Sequence, residues 1–381
     1  MNRPFLSAVA AACGLLCLAT AAQAQQASTG APSNVKLYGI VDVSAGRFQN
    51  IGRDRLYRAE SGRMSTSFIG FNGVEDLGGG LQARFALEAF LRADTGANGR
   101  FDGDAFYARN AFVGLSGAFG TAQIGRNSTP LFVNTLIFNA YGDSFGFSPS
   151  IRQYFVSPTV SPDQSFSVGR SQVVGDTGWN NSLVYFSPRF GGASFTAAIN
   201  AGEGAATAVG RNTSLSAYWG SGKRAFGEIA VGGAWQQVKN GLPAALVPGF
   251  QKQDTYQIGA SFDFNLAKIF AQYGQVRTES NNALADGRAR ISGLGFSVPV
   301  GAGKVLGQYG YSRTTGNGFQ PTTWKTATVG YDYNLSKSTD VYLNYMHERA
   351  TVGTTAVVGV SPPSGIAGSG NTVAAGIRLR F

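Results

Sequence analysis

The chain has 381 residues, of which 14% are charged and 12% aromatic, with 53 glycines and a formal net charge of +10. So little charge argues against a soluble protein of this length. Beyond the first 24 residues there is no run of about 18 apolar residues from which a transmembrane helix could be built. A closed β-barrel in lipid reconciles the two observations, because its wall alternates apolar and polar residue by residue.

Residues 1–24 read as a cleaved secretory signal: Asn2 and Arg3 precede an uncharged apolar stretch from Phe5 to Leu18, then the small-x-small site Ala22-Gln23-Ala24. The barrel domain is then 25–381. Cys13 and Cys17 both fall in the signal, so disulfides cannot hold the exported chain.

Period-2 segments follow in order. Residues 35–45 place Val35, Leu37, Gly39, Val41 and Val43 on one face, with Lys36, Tyr38, Ile40 and Asp42 on the other. A strand through Ile69 and Phe71 turns at Gly78-Gly79-Gly80 into one that sets Leu81, Ala83, Phe85 and Leu87 against Gln82, Arg84, Ala86 and Glu88. Strands near 106–115, 121–126, 181–187, 193–200, 212–219, 227–236, 254–264, 269–277, 289–299, 304–312, 323–333, 339–347 and 371–381 complete sixteen, joined by seven short turns and eight longer loops. The expected fold is therefore all-β, a 16-stranded antiparallel transmembrane barrel with room for an aqueous channel. A soluble propeller should show a shared motif every 40–50 residues, and none is visible.

The connection from about Asn127 to Gly178 is out of scale. It carries Phe132, Phe138, Tyr141, Phe145, Phe147, Tyr154 and Phe155, which need a surface to pack on. The inner wall of the barrel is the surface within reach, so this third loop is expected to fold into the lumen; a lid over the mouth is the alternative. In the last strand Val373, Ala375, Ile377, Leu379 and the terminal Phe381 share one face.

Several segments, taken in this order, resemble the general trimeric porins of Gram-negative outer membranes, beta-proteobacterial branch. They are Lys36-Leu37-Tyr38-Gly39, Gly73-Val74-Glu75-Asp76-Leu77-Gly78-Gly79-Gly80-Leu81, Arg109-Asn110-Ala111-Phe112-Val113-Gly114-Leu115, Ile124-Gly125-Arg126, Gly330-Tyr331-Asp332-Tyr333-Asn334-Leu335-Ser336-Lys337 and Arg380-Phe381. The resemblance spans the exported chain. It implies a homotrimer, passive diffusion of small hydrophilic solutes, and a constriction where basic wall residues face acids of the third loop. It places Arg109 on the basic wall and Glu88 as an inward acid, and gives Phe381 the character of a signal read by the barrel assembly machinery. By the same resemblance Arg109 shares inward phase with Ala111 and Val113, leaving Phe112 and Gly114 outward. Phe68 stands where the family commonly has an arginine.

Phase puts Lys36, Arg84, Arg92, Arg378 and Arg380 on the lumen side with Asp42, Glu88, Glu228, Asp263 and Asp332. The constriction set is taken as Arg109, Arg84, Glu88, Lys36, Asp42 and Asp143, beneath a basic mouth cluster of Arg53, Arg55, Arg58 and Arg63. A small basic excess in a narrow low-dielectric channel biases ion flow, so anion preference is expected. Lipopolysaccharide and outer-membrane lipid are the expected acidic partners, while scattered basic residues in an exported chain argue against nucleic acid.

No catalytic constellation is visible. His347 is the one histidine, so no multi-His metal site exists, and no cofactor is expected. Gly78-Gly79-Gly80 precedes a strand and cannot set a phosphate on a helix N-terminus. A barrel-borne enzyme or adhesin is one alternative function. A solute-specific channel using the third-loop aromatics as a stacking track is the other.

Overall fold

The computed structural model describes residues 34–156, 172–200, 211–223, 227–239, 249–283, 286–317, 319–351 and 367–381. The signal expectation for 1–24 lies outside them. The strands are β1 (Asn34–Phe48), β2 (Leu56–Ser61), β3 (Phe68–Gly78), β4 (Leu81–Arg92), β5 (Ala97–Asn98), β6 (Asn110–Gly117), β7 (Gly120–Ser128), β8 (Gly178–Phe186) and β9 (Ala193–Asn200). They continue as β10 (Asn212–Gly220), β11 (Glu228–Lys239), β12 (Phe250–Asp263), β13 (Lys268–Ser280), β14 (Gly287–Val300), β15 (Gly303–Gly316), β16 (Phe319–Asn334), β17 (Thr339–Thr351) and β18 (Gly368–Arg380). Two helices, α1 (Pro130–Ile137) and α2 (Pro149–Phe155), lie in the third loop.

Sixteen antiparallel strands form a closed barrel: neighbours pair in sequence, and β18 returns to β1 with Val43 opposite Ile377. Closure leaves no unpaired edge in lipid. The terminal residue completes the seam, where Gly39 and Phe381 exchange backbone hydrogen bonds at 3.1 and 3.2 Å. The short β5 is a pendant of the second loop. The remaining extra strand is an interruption: β2 pairs with the upper half of β1 and β3 with its lower half, and residues 62–67 depart from the wall between them.

Alternation sorts the wall as expected. Val35, Leu37, Leu294, Val329 and Leu343 are exposed on the outside, while Gln236, Gln257, Gln272, Gln308 and Thr326 are buried on the inside. The eight-long-loop expectation fails at one place. The connection between β15 and β16 is residues 317 and 318 alone, because β15 runs on to Gly316 and β16 begins already at Phe319.

Candidate pore constriction

The third loop is built to lie against the inner wall. Thr129 and Ser148 cap α1 and α2 by accepting from Phe132 N and Ile151 N at 3.2 Å, each followed by a proline at the first helical position. The wall opposite is pared down with glycine. A Cβ on Gly232 or Gly259 would fall within 2.7 Å of the Phe138 ring, and one on Gly274 would strike the Tyr154 hydroxyl. Pro149 sits on Gly310 in the same way. Phe138, Phe147 and Tyr154 are fully buried, and each buried aromatic contributes roughly 1.5–3 kcal/mol. Polar ties fix the register: Asn134 Nδ2 donates to Gln257 Oε1 at 2.8 Å, Gln272 Nε2 to the Phe138 carbonyl at 2.5 Å, and Gln308 Nε2 to Ser150 Oγ at 2.6 Å. The loop is therefore an inserted constriction and not a lid. Seven aromatics among its described residues are buried against the wall, so these seven offer no stacking track to a solute.

The interruption at 62–67 forms a wedge that meets the loop from the opposite quarter. Asp42 Oδ2 accepts both Met64 N and Ser65 N at 2.7 Å, and its Oδ1 accepts the Tyr342 hydroxyl at 2.5 Å. On the wedge's other side Ser144 Oγ donates to the Arg63 carbonyl at 2.7 Å, and Gly146 N to the same oxygen at 3.1 Å. Ser65 Oγ donates to Asp143 Oδ1 at 2.8 Å. The Arg63 guanidinium lies 5.0 and 5.3 Å from the Phe48 and Phe147 ring centroids.

Two expectations are corrected here. Asp42 faces inward as its phase requires, but it is wholly buried beneath the wedge and is no pore-lining acid. The mouth cluster splits: Arg53 and Arg55 are exposed, whereas Arg58 and Arg63 both pair with Glu60, and Arg63 is buried. Alternation reports which way a side chain points, not what later covers it.

Arg109 lies beside Glu88, but not through the phase of β6. It precedes β6 and escapes that strand's phase. Val113 and Leu115 are exposed on the outer face at 62% and 44%, so Asn110, Phe112 and Gly114 are the inward set. The Arg109 side chain turns inward from the loop, pairs with Glu88, and rests 4.0 Å from the centroid of the Phe68 ring. Glu88 also accepts from the Tyr38 hydroxyl and from Asn110 Nδ2 at 2.5 Å. Lys36 is exposed and Arg84 half-buried, its Nη1 reaching Ser116 Oγ at 3.4 Å.

A family model described as Gram-negative porin matches residues 7–352. The chain belongs to the Gram-negative porin family. Outer membrane porin protein 32 of Delftia acidovorans is 30% identical over 341 residues, 86% of this chain and 87% of that protein. The major outer membrane protein P.IB of Neisseria gonorrhoeae is 24% identical over 336 residues, 82% of this chain and 88% of that one. Among solved structures, the anion-selective porin from Comamonas acidovorans superposes with a TM-score of 0.70 at 27% identity, over 92% of this chain and all of that one. OmpT of Vibrio cholerae, at 14% identity and a TM-score of 0.64 over 92% and 98%, shares the fold. The barrel is thus an outer-membrane channel.

One feature of the porin escaped sequence reasoning. Second and third loops are latched where Asp176 accepts from Arg100 Nη1 and Nη2 at 2.7 and 2.9 Å and also pairs with Arg126. Burial pushes the Asp176 carboxyl up, but the two guanidiniums outweigh it and hold it below the usual carboxylate range. Arg100 also pairs with Asp104 and lies 5.1 Å from the Phe90 ring centroid. The residues are spread over some 75 positions, and no local spacing announces them.

Proposed function

We propose that the porin passes small hydrophilic solutes and ions by passive diffusion, prefers anions, and works as a homotrimer exported by a signal at 1–24. One observation carries the anion preference: five inward acids are buried and partnered, Glu228 and Asp263 beside the short turns are half-buried, and three inward cations stay accessible. Asp42, Glu88, Asp332, Asp340 and Glu348 are all buried, whereas Lys36 is exposed and Arg84 and Arg109 are partly so. A buried carboxylate ringed by donors projects little field into the lumen. An accessible guanidinium in a narrow low-dielectric channel is felt by each passing ion.

The described residues of the third loop do not restore the balance. Neither α1 nor α2 contains an acid, and α1 turns Val133 and Ile137 away from the wall. Asp143 is tied to Ser65 and Asp176 to two arginines. The related Comamonas channel is named anion-selective, and a Vibrio OmpT is described in a trimer form, which supports both halves of the reading. Phe381, exposed at the seam, suits recognition by the barrel assembly machinery. Lipopolysaccharide is the acidic partner that this membrane supplies.

The test is the zero-current potential under a KCl gradient in a planar bilayer. Wild type should be anion-preferring, weakening as screening shortens to about 3 Å at 1 M salt. Arg109→Glu, which sets a second acid beside Glu88, should move the potential toward cations. An unmoved potential, or a cation-selective wild type, refutes the reading.

A further inference from the structure

The outer face of β14–β17 carries five cations near one height: Arg288, Arg290, Arg313, Lys325 and Arg349. All but half-buried Arg288 are exposed. Arg290 stands directly opposite Arg313, and Lys325 directly opposite Arg349. Their outward phase follows from their neighbours. Ala289, Ile291, Ser312, Thr314, Trp324, Thr326 and Glu348 alternate with them and are buried inside.

Like charges directly opposite on adjacent strands destabilise a sheet. Here no acid among the described residues compensates. Among the described residues none of the five side chains forms an ion pair, and the sequences that join β15 to β16 and β17 to β18, 317–318 and 352–366, contain no Asp or Glu. Asp286, in the connection between β13 and β14, is occupied by Ser280 N at 2.8 Å. The contrast with the adjoining wall is sharp. Lys252 lies 3.2 Å from Glu279 and 3.8 Å from Asp254, so outward cations there have acids beside them. Toward β13 the row ends at Arg277, which faces Arg288 on one side and Asp254 on the other.

Height identifies the missing anion. Arg290, Arg313, Lys325 and Arg349 are nine or ten residues above their short turns. At ~3.3 Å per residue and ~45° tilt they stand about 21–23 Å up, near the upper edge of an apolar band ~25 Å tall. Below them the wall is apolar, with Leu294, Tyr309 and Leu343 exposed. Head groups of the extracellular leaflet lie at that level and acyl chains beneath.

We propose that this row binds the phosphates of an acylated glycolipid in the extracellular leaflet, with the lipid's chains lying on the apolar wall below. The planar fork of arginine matches phosphate oxygens in pairs, and one bridging phosphate relieves two facing cations at once. The proposal rests on the barrel being an outer-membrane porin, and it deepens that reading by giving the acidic lipid a place.

The experiment uses the full exported chain, refolded and shown to shift mobility on heating. Bound lipid is measured by native mass spectrometry after incubation with bisphosphorylated lipid A, with its dephosphorylated form, or with inorganic phosphate as competitor. Wild type should retain bisphosphorylated lipid A. Removing the lipid phosphates, or making R290Q/R313Q/K325Q/R349Q, should weaken retention by about tenfold or more, since surface cations attract an anionic lipid. R290K/R313K should retain it. Should the quadruple variant refold poorly, R313Q with R349Q replaces it.

The zero-current potential should not change in any of these variants, because the row faces away from the lumen; this separates the proposal from the selectivity reading. Equal retention of dephosphorylated lipid, or by the glutamine variants, overturns the site. Displacement by equimolar inorganic phosphate overturns the lipid as its occupant. Loss of the oligomer with lipid retained makes the face a subunit contact instead.

Discussion

Arg152 on α2 and Glu348 on β17 meet in a two-pronged ion pair, with Nε donating to Oε1 at 2.9 Å and Nη2 to Oε2 at 2.7 Å. Thr326 Oγ1 adds a third bond to Oε1 at 3.2 Å. The two side chains are 5% and 2% exposed, so the constriction loop is pinned to the wall by a desolvated contact.

Glu348→Gln leaves that guanidinium buried without its counter-charge. Breaking such a pair costs about 3–5 kcal/mol, here charged against loop docking, since the wall's hydrogen-bond ladder is untouched. Single-channel records should show higher mean conductance and more open-channel noise, with little change in the far-ultraviolet melting of the barrel. Wild-type conductance in the variant would show that the pair does not hold the loop.

Glycine seats can be tested by filling one. Gly259→Val puts a side chain where Phe138 Cγ and Cδ2 stand 2.5 Å from the position of a Cβ. Overpacking of this kind costs about 1–3 kcal/mol and should displace Phe138, raising conductance. Gly233→Val is the control. Gly233 faces outward, its nearest neighbour is 3.4 Å away, and its conductance should be that of wild type. Equal behaviour of the two variants would contradict the seating of the loop on the wall.

The latch at Asp176 has a defined pH window. Its folded pKa is depressed, so its stabilising contribution is complete above the unfolded value of about 3.9 and fades as pH falls through the lower folded value. Hydrogen exchange of peptides covering 97–104 and 172–177 should therefore be flat, after correction for intrinsic rates, from pH 8 to about 5, rising only below ~4. Asp176→Asn should raise it throughout. Loosening already between pH 7 and 5 would assign the latch to another group.

Much of this architecture was legible in the sequence, for a physical reason. A wall with lipid on one side and water on the other forces period-2 alternation, so strand order, closure and the bounds of the third loop could be read directly. What the wall's inner face supports was not. Gly232, Gly259, Gly274 and Gly310 were read as composition, yet all four occupy lumen phase on strands that α1 and α2 touch. Glycine at inward phase on adjacent strands is the signal that would have revealed the seat. Ala111 and Val113 were given the inward direction of Arg109, which precedes β6 and does not share its phase, and Asp42 was given the lumen that the 62–67 wedge takes from it. Both errors arise where regular alternation stops.

The wedge draws on both ends of the chain. Asp42 and Ser65 come from the first hairpin, yet the Tyr342 hydroxyl that binds Asp42 is 300 residues away, and Arg378 Nη1, which donates to Ser65 Oγ at 2.8 Å, is 313 away from Ser65. Contacts of such sequence separation form late, because the loop-closure entropy must be overcome first. The surface that receives Ser144 and Gly146 is therefore finished only when the last strands zip onto the first. Narrowing of the pore and sealing of the tube then become one kinetic event, and the channel acquires its final bore at the moment it becomes a channel.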